Sequence, residues 1–153
     1  MAVSVLNLQR AVRILVARVS RMAEAALGAL GQSGAEMHLT FVSDSRIRTL
    51  NEQHRGVRSR TDVIAFPLES PGPSRLLGEV IISGESARRQ ARRLGVPLAT
   101  ELDLLVVHGL LHLVGYDDRD PLEARLMHER ERAILSRACR PVPRRLWADL
   151  LSA

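Results

Sequence analysis

From Leu98 to Val114 the chain reads as one apolar helix, and two histidines, His108 and His112, stand four residues apart in its second half. On a helix that spacing stacks both imidazoles one turn apart on a single face, the placement of two ligands to one metal. The pair alone is equally compatible with two hydrogen-bonded core histidines. Three neighbours tilt the reading toward a metal. Gly109 is a mid-helix glycine, which costs about 0.5–1 kcal/mol against alanine and implies close approach of another segment or of substrate. Gly115 permits the left-handed residue that ends a helix. The polar turn Tyr116 to Pro121 then lets the chain fold back, bringing Asp118 near the same metal. Two imidazoles and a carboxylate leave a fourth position for water, which describes a catalytic site; four protein ligands would describe a structural one. In the peptidase pattern His-Glu-x-x-His the residue after the first histidine is the catalytic glutamate. Here it is Gly109, so a peptide hydrolase would lack its base.

The remaining punctuation predicts strands interleaved with helices. Ala2 to Leu6 alternates weakly, as an edge strand would. Leu8, Val12, Leu15, Val19, Met22, Ala26 and Leu30 recur at three- and four-residue steps, which predicts one amphipathic helix over Leu8–Leu30, with Arg10, Arg13, Arg18 and Arg21 on its opposite side. The loop Gly31 to Gly34 ends it. Met37–Val42 is a strand, and Ser43 and Asp44 offer an N-cap to a short helix through Ile47, Leu50 and Gln53. Val63–Phe66 is a strand stopped by Pro67, Ser70–Ser74 is a loop, and Leu77–Ser83 is another strand. Glu85–Leu94 and Leu122–Ala138 are helices. The expected fold is α+β, a single mixed sheet of about four strands packed with helices, one of them a zincin-like metal helix. The 153 residues suit one domain.

Charge limits the partners. Twenty-two basic residues against seventeen acidic give +5, and every basic residue is arginine. Without lysine, Schiff-base and P-loop lysine chemistry are excluded. The pI near 11 points to an anionic partner, nucleic acid first. Four aromatics, Phe41, Phe66, Tyr116 and Trp147, are too few for a base-stacking platform. Arg88, Arg89, Arg92 and Arg93 form a basic ridge on their helix, suited to a phosphate backbone or simply to solvent. Cys139, the lone cysteine, reads as a bystander thiol. No apolar run is long enough to span a membrane, and no secretory signal is visible, which leads to a cytoplasmic expectation.

Three ordered stretches carry a family resemblance. His108-Gly-Leu-Leu-His112-Leu-Val-Gly115-Tyr116-Asp117 is similar to the signature of the YbeY family, bacterial metal-dependent endoribonucleases acting in ribosomal RNA maturation. Leu50-Asn51-Glu-Gln-His-Arg55-Gly56 with Thr61-Asp62-Val63-Ile64-Ala65-Phe66-Pro67, and Leu77-Gly78-Glu79-Val80-Ile81-Ile82-Ser83, resemble two further blocks. The resemblance spans roughly residues 36 to 136. It implies cleavage of single-stranded RNA at a site holding one Zn2+ or another divalent ion. It also implies work with ribosomal particles and an assembly GTPase. Arg55 matches the family's functional arginine. Asp118 stands where the family pattern usually has a third histidine. An anionic ligand lowers the net charge of the site and suits harder ions somewhat better. No general base is identifiable. Asp117 is either an orienting residue or a turn residue, Thr61 and Asp62 precede the strand that by resemblance lines the cleft, His54 beside Arg55 is either a groove residue or simply an exposed one, and His38 and His128, with no local partner in the sequence, read as structural. Two other readings stand beside the nuclease: a non-catalytic RNA-binding ribosome-assembly factor with a weak or structural metal site, and a zinc hydrolase of another substrate.

Overall fold

The computed structural model describes residues 2–53, 62–68, 75–138 and 143–147. Among these residues four strands, β1 (Val3–Asn7), β2 (Glu36–Val42), β3 (Val63–Pro67) and β4 (Leu76–Ser83), form one sheet in the order β1-β2-β4-β3. β1 and β4 run parallel to β2, and β3 closes the sheet antiparallel to β4. Five α-helices among the described residues complete the α+β fold: α1 (Val16–Ala29), α2 (Asp44–Gln53), α3 (Gly84–Leu94), α4 (Leu98–Leu113) and α5 (Pro121–Ala138).

Alternation in the strands decides which face is covered. Met37, Leu39 and Phe41 of β2 join Val80 and Ile82 of β4 in the main core, packed against α1, α4 and α5. The other face buries Val42, Ile64 and Ile81 under Ile47 of α2, with Phe66 half-buried beside them. α4 is enclosed by α1, α3, α5, β3 and β4, which is why its sequence is apolar around its whole circumference. No single helix among the described residues is long and apolar enough to cross a membrane.

The N-terminal segment differs from expectation. The helix begins at Val16, not Leu8, although the spacing of Leu8, Val12 and Leu15 has a helical period. Leu8 instead extends the β1–β2 ladder, its N–H donating to the carbonyl of Phe41 at 2.8 Å. The Gln9 side chain then holds a turn: its Oε1 accepts from the Val12 N–H and its Nε2 donates to the Val12 carbonyl. Val12 and Ile14 reach the core from this irregular segment, while Leu8 and Leu15 are exposed. Arg18 also leaves the solvent side. It makes a bidentate ion pair, both contacts at 2.7 Å, with buried Asp103 of α4.

α2 and α3 are tied together at their N-terminal ends, where Ser43 Oγ accepts from the Arg46 N–H and Ser83 Oγ from the Ser86 N–H. The Asp44 N–H donates to Glu85 Oε1, while the Asp44 carboxylate accepts from Ser83 Oγ, Ser86 Oγ and Arg89. Burial alone would raise the pKa of Asp44, but these bonds, Arg89 first, hold it well below the usual carboxylate range. A depressed carboxyl stabilises the fold above its unfolded pKa, about 3.9, and that contribution fades as pH falls toward the lower folded value. Asp44→Asn is therefore expected to cost about 1 kcal/mol at pH 7. The gap between the urea midpoints of the two proteins should narrow as pH falls below about 3.9 and stay partly open at pH 3, where the folded carboxyl is still ionised; a gap unchanged between pH 7 and pH 2 would show that charge is irrelevant there.

Candidate metal centre

The site grows from the end of α4. Gly115, at φ +104, sits just past the helix and forms a Schellman turn. The Tyr116 N–H returns to the Leu111 carbonyl at 2.9 Å and the Gly115 N–H to the His112 carbonyl at 3.2 Å. This turn does more than stop the helix. It presents the Tyr116 carbonyl to the ring of His112, whose Nδ1 donates to it at 3.0 Å. Asp117 then acts as a turn residue: its Oδ1 accepts from the N–H groups of Asp118 and Arg119. The chain doubles back and brings the Asp118 carboxylate over the helix end, as the sequence predicts.

His108, His112 and Asp118 converge. The two Nε2 atoms face one another at 3.2 Å, and Asp118 oxygens lie 3.7 Å from His108 Nε2 and 3.9 Å from His112 Nε2. Two donors on one tetrahedral zinc, each about 2.0–2.1 Å from it, are about 3.3 Å apart. The histidine pair therefore already matches one edge of a coordination tetrahedron. The carboxylate, 29% exposed, needs only a small inward turn.

The hydrogens on these rings are fixed by their other partners. His108 Nδ1 is 2.6 Å from Oε2 of Glu131, and the ionised carboxylate can only accept. The Tyr116 carbonyl can only accept as well. Each ring thus carries its hydrogen on Nδ1, leaving both Nε2 lone pairs aimed at one spot. Two lone pairs at that distance repel unless a cation lies between them, so the donor set fits a metal. Burial first, and the neighbouring His108 second, push the pKa of His112 below its ordinary value, against the pull of Asp118 and the Tyr116 carbonyl.

Glu131 is the functional residue that sequence reading missed. It is fully buried on α5 and takes three donors, His108 on Oε2 and both His128 and Trp147 on Oε1. Burial raises its pKa, but the hydrogen bonds from His108 and His128 outweigh it and hold the group at about 2. His128 thus has a partner three residues along its own helix. A signal existed: Glu131 lies at helical spacing with Met127, Ile134 and Leu135, all buried, and a carboxylate on an apolar stripe needs donors.

The other expectations fall out unevenly. A Cβ on Gly109 would collide with the Val80 side chain of β4, so its bare backbone serves the close approach of a strand. Position 109 faces the core and offers no place for a peptidase base. Arg88 and Arg89 of the basic ridge are bound to the Ala11 carbonyl and to Asp44, while Arg92 and Arg93 are exposed. Asp62 is buried at the head of β3, its carbonyl accepting from the Ser83 N–H, and His38 is exposed on β2. Arg55, His54, Thr61 and Cys139 lie outside the described residues.

An α+β fold with two histidines on one helix and a carboxylate on the turn after it brings together three side chains that could hold a metal ion. A family model described as endoribonuclease YbeY matches residues 4–138. The chain is 44% identical over 133 residues to the endoribonuclease YbeY of Moorella thermoacetica, covering 80% of this chain and 85% of that one. It is 48% identical over 130 residues to the relative from Anaeromyxobacter dehalogenans, covering 84% of this chain. The chain spans 65% of that relative's length and 63% of the length of a second Anaeromyxobacter relative. In fold it is similar to a Thermotoga maritima protein solved in solution, with a TM-score of 0.59 at 24% identity, covering 98% of this chain and 92% of that one. The chain belongs to the endoribonuclease YbeY family.

Proposed function

We propose that this chain is a metal-dependent endoribonuclease that cuts single-stranded RNA in the maturation of ribosomal RNA, at the small-subunit 3′ end, and in ribosome quality control. The observation that carries the reading is the convergence of His108, His112 and Asp118 in a chain of this family. Those three residues would hold one Zn2+ or another divalent ion. A bound ion of this kind lowers the pKa of its water and polarises a phosphoryl oxygen. The chain's own residues supply the rest. Glu131 and the Tyr116 carbonyl keep both imidazoles in the ligand tautomer. The Schellman turn at Gly115 fixes the approach of Asp118. By resemblance, the Arg55 guanidinium stabilises charge gathering on the phosphoryl oxygens through paired N–H contacts. Ribosomal RNA within ribosomal particles, an assembly GTPase and a cytoplasmic setting belong to the same proposal, with the chain acting as a single domain.

Arg55→Ala separates chemistry from metal loading. The variant is expected to keep its metal while losing cleavage of an unstructured RNA by about 10²–10³-fold, the effect of removing one transition-state donor. Cleavage at the wild-type rate would remove Arg55 from the mechanism. One observation favours a second reading. Asp118 is an anion where the family pattern has imidazole, which weakens activation of bound water. A metal-loaded wild-type protein that binds RNA and leaves it intact would make the chain a non-catalytic ribosome-assembly factor.

A further inference from the structure

One donor to Glu131 comes from outside the helix pair. Trp147 lies in the 3-10 turn Arg144–Trp147, beyond the residues 4–138 that the family model matches. Its side chain is buried, and the Arg132 guanidinium sits over its ring, 5.3 Å from the centroid. Its indole N–H donates to Glu131 Oε1 at 3.1 Å. His128 Nδ1 holds the same oxygen at 2.8 Å. A carboxylate with one oxygen held by two donors cannot rotate without breaking them, so the direction of its second oxygen is set. That second oxygen holds His108. A phenylalanine would fill the same apolar space without any polar atom; the indole adds a bond aimed at the buried carboxylate that holds His108 Nδ1.

We infer that Trp147 is a positioning residue of the metal centre, through which the C-terminal turn steadies His108 by way of Glu131. The inference rests on the reading that His108, His112 and Asp118 hold a metal. It makes the turn after α5 part of the site's support, beyond the family's matched span.

The test is zinc affinity measured by competition with a chromophoric chelator, on the full chain and on Trp147→Phe. Loss of a group that orients a ligand costs about 10–100-fold in metal affinity, so a group one bond further away is expected to cost about 3–10-fold. Far-UV circular dichroism of the metal-free variant should match the parent. A packing role alone predicts a lower melting temperature with zinc affinity unchanged in the folded protein, and that result overturns the inference. If Trp147→Phe does not fold, the parent decides. Trp147 is its sole tryptophan, so emission during zinc titration reports this residue alone. Emission that changes and saturates at one equivalent supports the coupling; emission unmoved by saturating zinc refutes it. Parent protein that takes up no zinc refutes the metal reading itself, a different failure.

Discussion

His112→Ala is expected to empty the metal centre while leaving the fold standing. The parent should purify or reconstitute with about one ion per chain and the variant with none at comparable free metal, since two remaining ligands rarely hold zinc. The physical cause is local. His112 Nε2 supplies one end of the 3.2 Å donor pair, and among the described residues the donor group holds no third imidazole to replace it. Alanine has high helix propensity, so α4 keeps its path. Only the Tyr116 carbonyl loses a partner, beside a half-exposed turn. Thermal melting gives the clearest measurement. Metal at about a thousand times its dissociation constant stabilises a binding-competent fold by about 4 kcal/mol, or about 10 °C for a chain of this size. The parent should show that rise on adding zinc and His112→Ala should show none. A variant that still rises by the same amount would place the metal elsewhere.

The centre divides into a part that local sequence specifies and a part that it does not. His108, His112, Gly115 and Asp118 fall within one helix end and one turn, so helical period and turn chemistry suffice to bring them together. The supporting shell is written in segments far apart. Glu131 is 23 residues from His108, and its neighbours Glu129, Arg130 and Arg132 make it look like part of a solvated charged face. Only its spacing with Met127 and Ile134 betrays its burial. Trp147 figures in the sequence only as one of four aromatics, and the reach of its N–H to a carboxylate is visible only in the fold. The opposite error occurs at residues 8 to 15, where apolar residues with a helical period belong to a strand extension and a turn held by the Gln9 side chain. Periodicity reports which residues face a core, and an irregular segment can satisfy it as well as a helix. The basic ridge on α3 shows the same ambiguity: Arg88 and Arg89 are committed to tertiary contacts that sequence does not reveal.

Two substitutions of Glu131 should separate its structural weight from its electronic one. Glu131→Ala leaves His108, His128 and Trp147 with buried, unmatched N–H groups and opens a cavity at a fully enclosed position. Breaking a buried charged network by removing one partner costs about 3–5 kcal/mol, a large share of the stability of a small domain. The variant is expected to melt far below the parent or to accumulate unfolded. Glu131→Gln keeps the volume and one acceptor oxygen. If that oxygen stays with Trp147 and His128, the amide NH2 faces His108 Nδ1 and must find an acceptor there. His108 then moves its hydrogen to Nε2, the atom that points at His112 and Asp118. The ring is in place but its lone pair faces the wrong way. The expected result is a folded protein whose zinc affinity has dropped by about 10–100-fold. Nitrogen-15 spectra of the imidazoles would show the hydrogen on Nδ1 of His108 in the parent and on Nε2 in the glutamine variant. Unchanged affinity together with an unchanged tautomer would mean that Glu131 only holds α5 to α4, and that the orientation of His108 comes from packing alone.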